Sequence, residues 1–177
     1  SITRARRGWW YKMQLFNIQH HAGPLLYFDL DTVIVNNIDW IWQQPTTCFW
    51  SVKDFKYLWR EHHTGLNSSV MWWNTLQYQH VWDTFSQQDL KVVMSKYHGD
   101  QDYITSVIPL TQVRFFDTNR IQSWRWQCVD GGYDFRLRRH RNSGSGTQIN
   151  PDASVLVFHG NPKPKDLQDP LIAQHWQ

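Results

Sequence analysis

Cysteine is scarce in this chain, and the scarcity removes several classes of protein at once. There are two, Cys48 and Cys128, far apart and outside any C-x-x-C pair. A cysteine zinc site and a thioredoxin-like redox motif both need closer thiols, so neither is expected. Two unpaired thiols suit a reducing compartment, which predicts a cytoplasmic protein. Long apolar runs are lacking too. None approaches the roughly 18 residues of a membrane-spanning helix, so no transmembrane segment is expected. No signal-peptide pattern is visible at the start. The chain also lacks an excess of one charge. A net charge of +3 is too small to mark nucleic acid as the partner, and no known nucleic-acid module is recognisable.

What is present describes a globular protein. Hydrophobic residues make up 41% of the chain and charged residues 19%, which argues against disorder. With 177 residues the chain fits one domain, 1–177, large enough to bury a core without a disulfide or metal staple. Tryptophan is abundant, at 12 residues, with Trp9-Trp10 and Trp72-Trp73 adjacent. Most of these fit an aromatic core. Some could line a pocket for a flat, partly apolar ligand such as a sugar ring or a nucleobase. The positive charge is clustered. Arg4, Arg6 and Arg7 open the chain, and Arg136, Arg138, Arg139 and Arg141 form a second group. Such groups serve as solvated loops or as surfaces for anions, including an anionic acceptor or a membrane periphery.

The pattern of elements is mixed. Residues 8–20 place Trp9, Met13 and Phe16 at helical spacing and are broken by Gly23-Pro24. Leu25 to Phe28 is a continuous apolar run, which predicts a buried strand. Residues 36–43 read as a short helix with Asn37 as N-cap. Strands are expected at 48–53, 69–74, 111–116, 123–128 and 154–160, and helices at 75–87 and 100–108. Residues 143–152 read as a flexible loop rich in Gly, Ser and Asn. Strands and helices alternate throughout, so the class is α/β.

Four short stretches carry chemistry. In "YFDLDTV", Asp29 and Asp31 follow an apolar run one residue apart. Within a strand, such residues share a face, so both carboxylates can converge at the strand end. Two bare carboxylates there repel, and a divalent cation removes the conflict. In "FHGNPKP", His159 is an imidazole suited to Mn²⁺, Gly160 lets a backbone approach phosphate, and Lys163 supplies a point charge between two prolines. In "GLNSSVMWWN", Asn67 offers a donor and an acceptor for a sugar hydroxyl. In "GDQDYI", Asp100, Gln101 and Asp102 stand at a helix start, where capping is the simpler role for Asp100.

Taken in this order, the four stretches resemble retaining glycosyltransferases of the GT-A fold, in the glycogenin and galactosyltransferase group called family eight. The resemblance runs from about Lys12 to Lys163. It implies a mixed sheet flanked by helices, and transfer of a sugar from a nucleoside-diphosphate sugar, a UDP-sugar above all, to an acceptor hydroxyl. The acceptor would be a carbohydrate, a lipid-linked sugar or a protein. It implies Mn²⁺, or Mg²⁺, held by Asp29, Asp31 and His159. Lys12, Asn67, Gly160 and Lys163 would bind the donor, and Asp100, Gln101 and Asp102 would flank the reacting carbon. The sequence departs from the family in three ways. Ser69 stands where the family often has Gly, the His, Gly and Lys of the C-terminal motif are spaced differently, and Lys165 replaces a common Trp. In addition, fewer than about thirty residues precede the D-x-D, where the family has a βαβ unit for the nucleotide. That predicts an N-terminally incomplete fold, or weak donor binding.

Two alternatives share some of these residues. "YFDLDTV" also suits a haloacid-dehalogenase-type phosphatase, with Asp29 as nucleophile, Asp31 as acid/base, and Asp100 and Asp102 on Mg²⁺. That reading leaves "NSSVMWWN" and "HGNPKP" without a role. The other is a non-catalytic remnant that binds a sugar or a partner.

Overall fold

A computed structural model describes residues 8–129, 133–134, 136, 139–140 and 147–176. The expectations placed on Arg4, Arg6, Arg7, Arg138, Arg141 and the first part of the loop, 143–146, lie outside these residues. In chain order the elements are β1 (Pro24–Phe28), β2 (Thr32–Ile34), α1 (Asp39–Trp42), β3 (Phe49–Lys53), β4 (Leu66–Asn74), α2 (Thr75–Ser86), α3 (Leu90–Lys96), α4 (Asp100–Val107), β5 (Val113–Phe115), β6 (Ile121–Ser123), β7 (Tyr133–Asp134), β8 (Arg139–His140), β9 (Val155–Val157) and α5 (Pro170–His175). The result is the expected mixed α/β class. Among the described residues no helix is long and apolar enough to cross a membrane.

The chain forms two compact units. The first draws on the N-terminal segment up to Tyr27, on Pro45–Asp54 and on Thr64–Phe115. Its four-stranded sheet has the order β1-β4-β3-β5, with β3 antiparallel to β4 and parallel to β5. β4 is a central strand, and its run from Ser68 to Trp73 is buried throughout, as a strand covered on both faces requires. Aromatic stacking knits the core: Phe16 lies 5.0 Å from Trp73 and 6.0 Å from Phe49, centroid to centroid.

Two expectations change here, and one irregularity appears. The helix expected over 8–20 is a 3₁₀ segment, Trp10–Phe16. It ends because Asn17 turns its side-chain oxygen to the N–H of Gln19, a local bond that competes with helix propagation. β1 is present, but its residues are exposed or half-buried, so it is not a buried strand. The pairing of β3 with β4 jumps from Ser51↔Met71 to Val52↔Asn67. Ser68, Ser69 and Val70 stand in that jump as a bulge, the kind of distortion that re-aims side chains.

The second unit comprises Phe28–Gln44, Phe55–His63 and the chain from Phe116 onward. Its three-stranded sheet has the order β2-β9-β6, with β2 antiparallel and β6 parallel to β9. Val33, Trp124, Leu156, Phe158 and Ile172 are buried together beneath it. "SWRWQC" is not a strand. β6 stops at Ser123, and Trp124–Cys128 forms a π-helical turn. Ser123 causes the change: its hydroxyl accepts from Trp126 N–H, and its own N–H donates to the side-chain oxygen of Gln127. Asn37 lies one residue before the cap of α1 and accepts from Asp39 N–H at 2.7 Å, so it starts the helix through an Asx turn.

Candidate functional site

The residues singled out in the sequence divide between the two units. In the second unit, β6 and β9 run in parallel and end together, at Ser123 and Val157. β2 runs the other way, so the residues preceding Thr32 also fall at that edge. Asp29 and Asp31 lie in a turn between β1 and β2 rather than within a strand. The turn closes through Asp29 C=O, which accepts from Thr32 N–H at 3.1 Å and from the Thr32 hydroxyl at 2.7 Å. Shared strand face therefore does not set the two carboxylates; the turn does.

Asp31 meets the C-terminal motif directly. Its carbonyl accepts from Phe158 N–H at 2.9 Å. Its carboxylate forms an ion pair with the Lys163 ammonium, which also donates to Phe158 C=O at 3.3 Å. His159 is half-buried beside them. Its ring stacks on Phe55 at 5.3 Å and meets the edge of Trp126 at 4.1 Å. His159 Nε2 and Ser123 Oγ share a hydrogen bond of 2.6 Å. Behind Gln127, the Tyr57 hydroxyl completes the support. Burial pushes that phenol above its ordinary pKa, and its bonds to the Thr118 and Gln127 side chains partly offset the shift. Gly160 has φ of +80°, a conformation that side chains rarely adopt, and it faces the Arg125 guanidinium.

In the first unit the bulge delivers Ser68 to a buried ion pair. Lys12 Nζ lies 2.8 Å from the Asp100 carboxylate, with both side chains about nine-tenths buried. The Ser68 hydroxyl donates to the same carboxylate at 2.7 Å and accepts from Lys12 at 3.1 Å. Lys12 also sits 5.2 Å above the Tyr27 ring. Asp100 opens α4 without capping it, so its role is the ion pair. Gln101 donates to the buried Asp54 carboxylate at 3.2 Å, and Asp102 is exposed. Asn67 accepts from Ser69 N–H through its side chain, while its carbonyl accepts from the Ser51 hydroxyl.

The sequence reading missed Ser68, Asp54, Ser123, Phe55, Trp126 and Arg125. Ser68 sits inside a stretch that was chosen for its neighbour, and Asp54 directly follows a strand, which is a usable signal. Ser123 and Arg125 were hidden by the alternation that read as a strand.

No family profile and no curated protein matches this sequence. Solved structures do. Two structures of the galactosyltransferase LgtC superpose over 92% and 95% of this chain, with TM-scores of 0.58 and 0.61 at 12% and 14% identity. One is the active-site mutant Q189E, and the other is a complex with donor and acceptor sugar analogues. The bifunctional glycosyltransferase WbbM superposes over 87% with a TM-score of 0.58 at 12% identity. The fold is GT-A-like. The chain spans 63% and 67% of the two LgtC chains and 32% of WbbM.

On this GT-A-like scaffold, the donor chemistry of the second unit suits a hard divalent cation. Two carboxylates and an imidazole supply oxygen and nitrogen ligands, and Asp31 already holds a cation, the Lys163 ammonium. Among the described residues, no three His, Cys, Asp or Glu side chains are arranged as a ready-made metal cluster. Asp29, Asp31 and His159, expected from the sequence as one ligand set, are thus not brought together as such a set. In the phosphatase alternative Asp100 would be a Mg²⁺ ligand; its carboxylate is paired with Lys12 and Ser68, as that of Asp31 is with Lys163.

Proposed function

We propose that the chain is a metal-dependent, retaining glycosyltransferase of the family-eight type, which moves a sugar from a nucleoside diphosphate, UDP first, to an acceptor hydroxyl. One observation carries this reading. The D-x-D turn and the "HGNPKP" loop, distant in sequence, meet at one sheet edge through Asp31, Phe158 and Lys163.

Asp29, Asp31 and His159 would hold Mn²⁺ or Mg²⁺, which when bound supplies Lewis-acid charge for the departing diphosphate. Lys163 exchanges its carboxylate partner for phosphate oxygens and stabilises the charge that develops there. Gly160 allows the backbone close to the same oxygens. Ser123, Phe55 and Trp126 fix the plane of the His159 imidazole, as the outer partners of a ligand histidine do. In the first unit, Lys12, Asn67, Asp100, Gln101 and Asp102 are assigned to donor recognition. Gln101 beside Asp54 offers an amide and a carboxylate, a pair that can hold two neighbouring hydroxyls. The acceptor is a carbohydrate, a lipid-linked sugar or a protein.

The test is a panel of UDP- and GDP-sugars titrated into the chain with and without Mn²⁺, followed by a hydrolysis assay. Metal-dependent binding that disappears in Asp31→Ala and His159→Ala is the expected result. No metal-dependent binding to any of them would sink the reading. Binding without turnover would instead identify a sugar-binding remnant.

A further inference from the structure

Arg125 is the second residue of the π-helical turn, and its backbone is fixed on both sides. Trp124 stacks on Phe158 at 5.1 Å, and Trp126 meets the His159 ring. Turns of this kind carry an extra residue in the helical ladder and are frequent at functional sites. The guanidinium covers the Tyr133 ring at 5.4 Å. Its Nη1 lies 3.3 Å from where a Cβ on Gly160 would stand, so the cation rests over the backbone of the "HGNPKP" loop. Its Nε is buried and has no hydrogen-bond partner among the described residues. A buried donor on a permanent cation normally finds a partner, because leaving it unmade is costly. The aromatic face beneath it satisfies the charge but none of the N–H groups.

We infer that Arg125 is a phosphate-binding residue, whose two terminal Nη groups take oxygens of a diphosphate lying against Gly160, while the buried Nε stays behind them. The inference rests on the donor reading given above and adds a second cation to it. Lys163 is a point charge beside Asp31 and the Phe158 carbonyl, and Arg125 is a planar fork against Gly160. A planar fork matches two phosphate oxygens at once, which an ammonium does not. Gly160 matters twice, since any side chain there would press on the guanidinium and strain a backbone at positive φ.

Isothermal titration of the full chain with UDP, GDP and inorganic pyrophosphate, in the presence of Mn²⁺, tests this. In Arg125→Gln the affinity for pyrophosphate and for the preferred nucleotide should fall about tenfold or more, the loss of one charge-assisted contact. Arg125→Lys restores the charge but not the fork and should recover only part. The ligand-free melting temperature should fall only modestly in Arg125→Gln, through the loss of the guanidinium's contact with the Tyr133 ring, and less in Arg125→Lys, which keeps the charge. If the unsubstituted chain binds and Arg125→Gln and Arg125→Lys bind equally well, this inference is overturned and the donor reading stands. If the unsubstituted chain binds none of the three anions, both are overturned.

Discussion

Lys12 and Asp100 hold each other where neither charge reaches much water. Desolvating both is offset by their contact and by the Ser68 hydroxyl. Removing one partner leaves the other buried and unpaired, which costs about 3–5 kcal/mol. Lys12→Met should therefore lower the unfolding free energy by roughly that amount in urea denaturation. Adding Asp100→Asn should return a large part of it, because the stranded charge is gone. A single loss below about 1 kcal/mol would mean that water reaches the carboxylate. At this scale the sequence was informative about identity and silent about partners. Lys12, Asp100 and Gln101, singled out from the sequence, all make polar contacts inside the first unit. That Lys12 would face Asp100, and Gln101 would face Asp54, depends on contacts between distant segments that no local spacing encodes.

Elements were more legible where they are long. α2 and α4 fall within a residue of expectation, since apolar spacing marks both. α2 begins at Asn74, whose side-chain oxygen accepts from Leu76 N–H at 3.1 Å. Asn74→Ala should cost about 1 kcal/mol, with Asn74→Asp close to neutral, measured by chemical unfolding followed by circular dichroism. Short elements were read poorly. The alternation Trp124-Arg125-Trp126 mimics a strand, yet Ser123 ends the strand by capping the turn behind it. The bulge in β4 left no signal, because Ser68 to Val70 are as apolar or small as paired strand residues would be. α3 and α5 were not foreseen. Both are short and are fixed by Asp caps, Asp89 and Asp169, rather than by a wide apolar face.

The whole molecule carries an alkaline liability. Burial pushes the Cys128 thiol from an ordinary 9.0 up to about 12. Burial likewise raises Tyr57, Tyr78 and Tyr103, each above an ordinary 10.0. Tyr97 moves the other way through its bonds to Ser106 and Lys96, but it lies near the surface. Between about pH 9 and 12, the unfolded chain has lost the Cys128 proton while the folded chain keeps it. The unfolded state then binds fewer protons, so stability falls as pH rises through that window. Melting temperatures should decline above pH 9, and Cys128→Ala should flatten the first part of the decline. A flat profile to pH 11 would show that the thiol is not buried as described.

The pairing of Thr32 with Val157 sets an order on synthesis. Every segment of the first unit has been synthesised by Phe115, while the second unit still lacks its central strand. At about 5–20 residues per second, Asp31 is made on the order of ten seconds before Phe158 and Lys163 exist to meet it. A chain stopped between Phe115 and Phe158 carries Lys12, Asp100 and Gln101 but lacks the partners that Asp31 meets, Phe158 and Lys163. Premature termination should therefore leave a fragment that folds its first half and leaves the edge of β2 exposed as a template for aggregation.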